Sequence, residues 1–264
     1  MARTALLNVM VQAVRKAGRS LVRDFGEVEN LQVSRKGPGD FVSAADKKAE
    51  QILFEELSRV RPGYGFLMEE SGSVEGTDKD NLWIIDPLDG TTNFLHGQPH
   101  FSISLALERN GHLAAAVVFN PVTDELFTAE RGTGAFLNDR RLRVASRSAL
   151  PDTVIGTGIP FIGRGDHGLT LKELAAVMPQ VAGIRRYGSA ALDLAWVAAG
   201  RFDGFWEHDL QPWDMAAGLL LIQEAGGFAT DFDDRDKMLK TGGVVAGNAK
   251  IHQALLAALK LARA

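Results

Sequence analysis

Asp86 and Asp89 stand three residues apart around Pro87, where an apolar run gives way to glycine and hydroxyls: Trp83-Ile84-Ile85-Asp86-Pro87-Leu88-Asp89-Gly90-Thr91-Thr92-Asn93-Phe94. Two carboxylates held this close repel each other unless a cation lies between them. Pro87 fixes its own φ, so the pair belongs to a turn and not to the run of a strand. The chain has no cysteine. Hard oxygen ligands in such a chain suit Mg²⁺ or Mn²⁺ better than zinc. The Leu88 carbonyl, inside the same turn, is a further oxygen donor. Gly90, Thr91 and Thr92 suit the start of a helix, whose unpaired N–H groups attract anions. Metal on one side and N–H donors on the other would grip a phosphate. The same residues also fit a commonplace acidic turn with a helix cap, and the segment alone does not choose.

Three other acidic positions bear on that choice. Glu69, in Glu69-Glu70-Ser71-Gly72, follows a short apolar run and can join a metal cluster or lie in a solvated acidic loop. Asp46 and Asp214 each open a predicted helix, where a carboxylate already interacts well with the helix N-terminus. Each of these is weak evidence by itself. Together they describe a divalent-metal phosphate site assembled from distant parts of the chain. Competing motifs are absent: there is no GxxxxGK[ST] loop, no HExxH and no GxSxG. Gly37-Pro38-Gly39 and Gly132-Thr133-Gly134 are turns too short for a dinucleotide fingerprint. The six histidines are scattered, and they read as structural or exposed.

Such a site needs strands that end in a crevice and helices that begin there. Helices are predicted over about 4–25 and 43–60, joined by a loop containing Lys36-Gly37-Pro38-Gly39-Asp40. In the first, Leu6, Leu7, Met10, Val14, Ala17 and Leu21 recur at helical spacing. Short strands are predicted at Gly65–Met68 and Leu82–Ile85. From Phe101 to Val144, apolar segments broken at Asn110-Gly111, Asn120-Pro121 and Asn138-Asp139 predict an antiparallel meander. Beyond about residue 150, strand and helix alternate: Thr153–Thr157, a helix near 168–178, Gly183–Tyr187, a helix over 189–199, Phe202–Trp206, a helix over 213–225, Val244–Ala246 and a helix from about 248. The expectation is a layered α+β and α/β mixture with one antiparallel sheet and one mixed sheet.

Composition sets outer limits. At 264 residues, 45% hydrophobic and 23% charged, the chain can bury a large core. A formal charge of −4 argues against a dedicated nucleic-acid binder. The amino-terminal segment reads as an amphipathic core helix and not as a signal peptide or membrane span. With the lack of cysteine, this leads to an expected cytoplasmic location and no membrane partner.

At this point the sequence resembles the inositol monophosphatase family of lithium-sensitive, Mg²⁺-dependent phosphatases. The likeness rests on Asp40-Phe41-Val42-Ser43-Ala44-Ala45-Asp46, Glu69-Glu70-Ser71, the Trp83–Phe94 segment and Trp213-Asp214-Met215-Ala216-Ala217-Gly218, in the family's order and spacing. Gly156-Thr157-Gly158-Ile159-Pro160-Phe161 and Arg185-Arg186-Tyr187-Gly188-Ser189-Ala190-Ala191-Leu192-Asp193 point to its bacterial branch. The resemblance implies a five-layered αβαβα sandwich. It implies one phosphatase domain over 1–264, which the chain's own pattern divides into lobes of about 1–147 (helices plus antiparallel sheet) and 148–264 (alternating strands and helices). It implies two or three Mg²⁺ per site, for which Mn²⁺ can substitute, held by Glu69, Asp86, Asp89, Asp214 and the Leu88 carbonyl, with Asp46 holding a further ion through water.

The resemblance also implies roles in the reaction. Glu69 and Thr91 would position and activate the attacking water, with Asp46 supporting Thr91. The Gly90 and Thr91 amides would bind phosphate beside Leu88, Asp89 and Asp214. Gly188, Ser189, Ala190 and Glu207 would contact the alcohol. Arg185 is a further candidate substrate contact; Arg186 is its neighbouring alternative, and a subunit interface or solvated surface are other readings of both. Met68 stands where some members have glycine, and the Phe161–Asp166 segment diverges across the family.

The expected reaction is hydrolysis of inositol 1-phosphate and related myo-inositol monophosphates by in-line attack of water, in a homodimer. Fructose 1,6-bisphosphate and histidinol phosphate are the alternatives on the same scaffold, with 3′-phosphonucleotides disfavoured by the GTTNF form. A regulatory binding protein that keeps the fold is the alternative of another class.

Overall fold

The computed structural model describes residues 3–27, 33–37 and 40–263, and for residues 33–37 and 40–42 the backbone alone. The chain begins with α1 (Ala5–Phe25), a hairpin of β1 (Val33–Gly37) and β2 (Asp40–Ser43), and α2 (Ala44–Val60). There follow β3 (Tyr64–Met68), β4 (Gly72–Val74), β5 (Asp78–Asp89), α3 (Thr91–Leu95), β6 (Ser102–Arg109), β7 (His112–Asn120), β8 (Glu125–Glu130), β9 (Gly134–Leu137) and β10 (Arg140–Arg141). The remainder comprises β11 (Val154–Thr157), α4 (His167–Val177), β12 (Gly183–Arg185), α5 (Ala190–Ala198), β13 (Gly204–Glu207), α6 (Pro212–Glu224), β14 (Phe228–Thr230), α7 (Met238–Thr241), β15 (Val244–Gly247) and α8 (Ala249–Arg263).

Two large sheets divide these helices into layers. The first has eight strands in the order β10-β9-β8-β7-β6-β5-β3-β4, and the second has five in the order β12-β11-β13-β15-β14. Alternation along each strand sends side chains to opposite faces. Trp83, Ile85, Leu105 and Leu107 pack with Leu7, Met10, Val14 and Leu53 of α1 and α2. Ile84, Ala106 and Ala116 face the other way, onto Leu194, Ala217 and Leu220 of α5 and α6. Phe205, Val244 and Ala246 of the second sheet close that middle layer. Trp206 and Val245 point outward to Val177 of α4 and to Ile251 and Leu255 of α8. The order is therefore helix, sheet, helix, sheet, helix: the five-layered sandwich.

The meander follows its turn signals. Asn110 and Gly111, and likewise Asn138 and Asp139, all take positive φ, as a two-residue hairpin turn demands. Three features differ from the sequence expectation. The first sheet is not wholly antiparallel, because β3 pairs parallel with β5. The connection between α1 and α2 is a hairpin rather than a loop; its Pro38 and Gly39 lie outside the described residues. β5 starts at Asp78, four residues before the apolar run. Pairing of Asp78 with Tyr64 of β3 and of Asn81 with Arg109 of β6, with the Arg109 Nε–Asn81 Oδ1 bond of 2.9 Å, extends it through polar residues that carry no apolar pattern.

Candidate active site

Parallel pairing sets Met68 beside Ile85, so β3 and β5 release Glu69 and Asp86 at one point. The Glu69 N–H donates to the Ile85 carbonyl at 3.2 Å. Behind that turn, the buried Glu50 of α2 accepts from the Glu70 N–H at 2.9 Å and from the Ser71 hydroxyl at 2.5 Å.

Between Asp86 and Asp89 the strand bulges. Asp86 lies opposite Ser104 and Asp89 opposite Ser102, three steps against two. Pro87 has no N–H to lend to the ladder and sits inside the bulge. The Leu88 N–H turns back to Asp86 Oδ1 at 2.9 Å. The facing serines dock the rest of the site. Ser104 Oγ donates to the Trp213 carbonyl at 2.9 Å and so seats the start of α6, whose third residue is Asp214. Ser102 Oγ lies 3.4 Å from Ser189 Oγ, which donates to Asp89 Oδ2 at 2.5 Å; the Ala191 N–H reaches the same oxygen at 2.8 Å. Pro212 opens α6, and the Gln211 N–H donates to Asp214 Oδ2 at 2.7 Å in a capping box.

One carboxylate oxygen from each of Asp86, Asp89 and Asp214 lies within 4.8 Å of the other two. Burial, then the charges of Glu69, Asp89 and Asp214, push Asp86 well above the usual carboxylate range. Burial raises Asp89 to about 6, against the opposing hydrogen bonds from Ser189 and Ala191. Burial and the neighbouring Asp89 raise Asp214 to about 7. Carboxylates so arranged disfavour their own charges. A divalent cation removes that conflict, so the donor set fits a hard metal ion.

Thr91 Oγ1 lies 3.0 Å from Asp46 Oδ1 and 3.1 Å from the Leu88 carbonyl. Asp46 is fully buried at the third position of α2, and its Oδ2 takes both the N–H and the hydroxyl of Ser43, at 2.8 and 2.5 Å. Burial raises its pKa. Asp46 therefore stands behind Thr91 and not on the cavity wall. Gly90 turns the chain from β5 into α3 with φ of +95°, and a Cβ there would meet the Gly188 and His100 carbonyls at 3.2 Å. Gly90→Ala is expected to cost roughly 2 kcal/mol or more from backbone strain and crowding. A wild-type melting temperature for that variant would contradict this.

A cavity of about 310 Å³ opens from the cluster, lined at one end by Glu69, Asp86, Asp89, Thr91 and Asp214. Its walls include Leu88, Gly90, Gly188, Ala190 and Glu207. Ser189 is buried behind the wall and acts on Asp89. Glu207 ends β13 instead of following it. Burial raises its pKa well above the usual range, with Asp193, Asp214 and Asp89 adding to the rise and Arg186 opposing it. Gly158 presses against this side chain so closely that a Cβ would lie 1.9 Å from Glu207 Cδ. Of the two neighbouring arginines, Arg186 lines the cavity, whereas Arg185 is exposed and its Nη1 donates to the Ile184 carbonyl.

Several contributors went unread in the sequence. Ser102 and Ser104 have no motif, although their alternation with Ile103 and Leu105 marks a small polar face. Asp193, noted only as part of a resemblance, is buried and accepts from His100 Nε2 at 3.0 Å. Burial lowers His100 to about 4, so the imidazole is neutral and structural, as expected. His208 departs from that expectation by lining the cavity.

The model of the inositol monophosphatase family matches residues 2–262 of this chain. The chain belongs to that family. It is 68% identical over 260 residues to an inositol-1-monophosphatase of Mesorhizobium japonicum, covering 98% of each chain. It is 46% identical over 259 residues to a protein named Nus factor SuhB of Pseudomonas aeruginosa, covering 97% of this chain and 96% of that one. Among solved structures, the extragenic suppressor protein suhB of Bartonella henselae superposes with a TM-score of 0.95 at 60% identity, covering 97% and 99% of the two chains. Inositol monophosphatase family members are phosphatases, and the acidic cluster at the end of β5 and the start of α6 can hold the metal such an enzyme requires. Among the described residues, no helix is long and apolar enough to cross a membrane.

Proposed function

We propose that this chain is a Mg²⁺-dependent phosphomonoesterase that hydrolyses inositol 1-phosphate and related myo-inositol monophosphates in the cytoplasm, as a homodimer. The observation that carries the reading is the convergence of Asp86, Asp89 and Asp214 beside Glu69 and Thr91, at one end of a cavity whose wall includes Glu207. The metal ligands are Glu69, Asp86, Asp89, Asp214 and the Leu88 carbonyl; Asp46 assists a further ion through water. When bound, the divalent ions supply the positive charge that attracts the phosphate dianion, acidifies water and stabilises charge on the leaving oxygen.

The chain's own residues supply the rest. Thr91 orients the water through its hydroxyl, and the Glu69 carboxylate takes up the proton that the water gives up. Asp46 holds the Thr91 hydroxyl, and Ser43 in turn holds Asp46. The Gly90 and Thr91 amides receive phosphate oxygens. Gly188 and Ala190 shape the alcohol side, Ser189 fixes Asp89, and Glu207 accepts hydrogen bonds from the alcohol's hydroxyls. Arg186 replaces Arg185 as the arginine beside the substrate. The 68% identical inositol-1-monophosphatase supports the choice of alcohol.

A panel of inositol, sugar, histidinol and nucleotide phosphates, assayed for phosphate release with Mg²⁺ and with Li⁺ added, tests this reading. Inositol 1-phosphate should give kcat/KM above ~10⁴ M⁻¹s⁻¹ and be inhibited by Li⁺. Preference for fructose 1,6-bisphosphate or histidinol phosphate would reassign the substrate. Near-zero turnover across the panel would favour the regulatory role suggested by the relative named Nus factor SuhB.

A further inference from the structure

Glu173 belongs to α4, in an outer layer, and contributes nothing to the carboxylate cluster, yet it is fully buried and borders the cavity. Burying a carboxylate is costly unless donors surround it. Here the partners are Trp206, His208 and Arg263. Trp206 Nε1 donates to Glu173 Oε2 at 3.2 Å. His208 Nε2 lies 2.9 Å from Oε1 and 3.1 Å from Oε2. Arg263, in the last turn of α8, donates through Nε to Oε1 at 3.0 Å, and its Nη2 lies 3.0 Å from His208 Nε2. Phe232 completes the group: the His208 ring stacks on it at 3.9 Å with 2° between planes, and the Arg263 guanidinium lies 3.8 Å from its centroid.

Two of those partners are the immediate neighbours of Glu207. Side chains alternate along a strand and its continuation. Tying Trp206 and His208 to one carboxylate therefore turns Glu207 the opposite way, toward Asp89 and Asp214. Thr157 Oγ1 adds a bond to the Trp206 carbonyl at 2.9 Å, and Gly158, lacking a Cβ, leaves the space that the Glu207 side chain occupies in this orientation. We infer that Glu173, with Arg263 as its ion partner, is a positioning residue that aims Glu207 and so sets which alcohols the enzyme selects. The inference rests on the proposed role of Glu207 as the contact to substrate hydroxyls. α4 and α8, in an outer layer of the fold, are thereby part of substrate recognition.

The test compares Arg263→Ala and Glu173→Gln with wild type, all with Mg²⁺. The substrates are p-nitrophenyl phosphate, whose alcohol bears no further hydroxyl, and the hydroxylated ester that the panel selects. Arg263 is partly exposed, so its variant should fold even if Glu173→Gln does not. KM for the hydroxylated ester should rise roughly 10-fold, with kcat/KM for p-nitrophenyl phosphate changed by less than about 2-fold. In a Glu207→Ala background the Arg263→Ala effect should vanish, because it acts through Glu207. Arg263→Lys should restore part of the loss.

Equal losses on both esters, no loss on either, or an undiminished effect in the Glu207→Ala background would overturn the inference. A wild-type enzyme that hydrolyses p-nitrophenyl phosphate but no hydroxylated ester would remove the proposed substrate class and this inference together. Selective wild-type turnover that Arg263→Ala leaves unchanged would remove only the latter.

Discussion

Asp89→Asn is expected to lower kcat/KM for phosphomonoester hydrolysis on the order of 10³-fold, equivalent to about 4 kcal/mol of transition-state stabilisation. Asp89 is placed by three independent devices: the bulge of β5, the Ser189 hydroxyl and the Ala191 N–H. Both of the latter donors converge on Oδ2. An asparagine can keep one carbonyl oxygen at that spot, so the turn should survive while the negative charge is lost. The loss should fall mainly on kcat and on the Mg²⁺ concentration needed for half-maximal rate. Turnover by this variant at the wild-type rate with Mg²⁺ would show that Asp89 is not a metal ligand.

The second large effect is a pH dependence of the metal-free protein. Asp214 is raised to about 7, and Asp86 lies well above the usual carboxylate range. Their unfolded values lie near 4. Through neutrality the folded state therefore binds more protons than the unfolded state, and stability falls as pH rises. His100, lowered to about 4, and His252, also lowered, act in the opposite sense below their unfolded value of 6.5. The cleaner window is therefore about pH 7 to about 8, where these histidines are mostly neutral in both states.

Across that window the melting temperature in chelator should drop by several degrees. Mg²⁺ at about 100 times its dissociation constant should restore roughly 2.7 kcal/mol, and its apparent affinity should weaken as pH falls. Calorimetric scans with and without metal measure both. A metal-free melting temperature that rises with pH here, or a Mg²⁺ shift that grows toward acid, would contradict the charge conflict at the cluster.

The site was legible where its chemistry is carried by contiguous segments. Asp86-Pro87-Leu88-Asp89-Gly90-Thr91 contains its own bulge and helix start. Glu69, Asp46 and Asp214 sit at strand and helix ends, where residue type and local pattern coincide. Legibility failed where contacts join single residues across long separations. Glu173 meets Arg263 at a separation of 90 residues, and neither stands in a motif. Ser104 looks like a polar interruption of a strand until pairing sets it opposite Asp86. The layers could be anticipated from helical and alternating periodicity. The parallel step between β3 and β5 could not, because two short apolar runs do not encode their relative direction. That step is nonetheless what brings Glu69 to Asp86.

Phosphate release from inositol 1-phosphate, followed as chelated enzyme is titrated with Mg²⁺, tests the central claim most directly. Turnover should be negligible in chelator, rise in a saturable manner with Mg²⁺, and be recovered in part with Mn²⁺. Full turnover in the presence of chelator, or none at any Mg²⁺ concentration, would contradict the account.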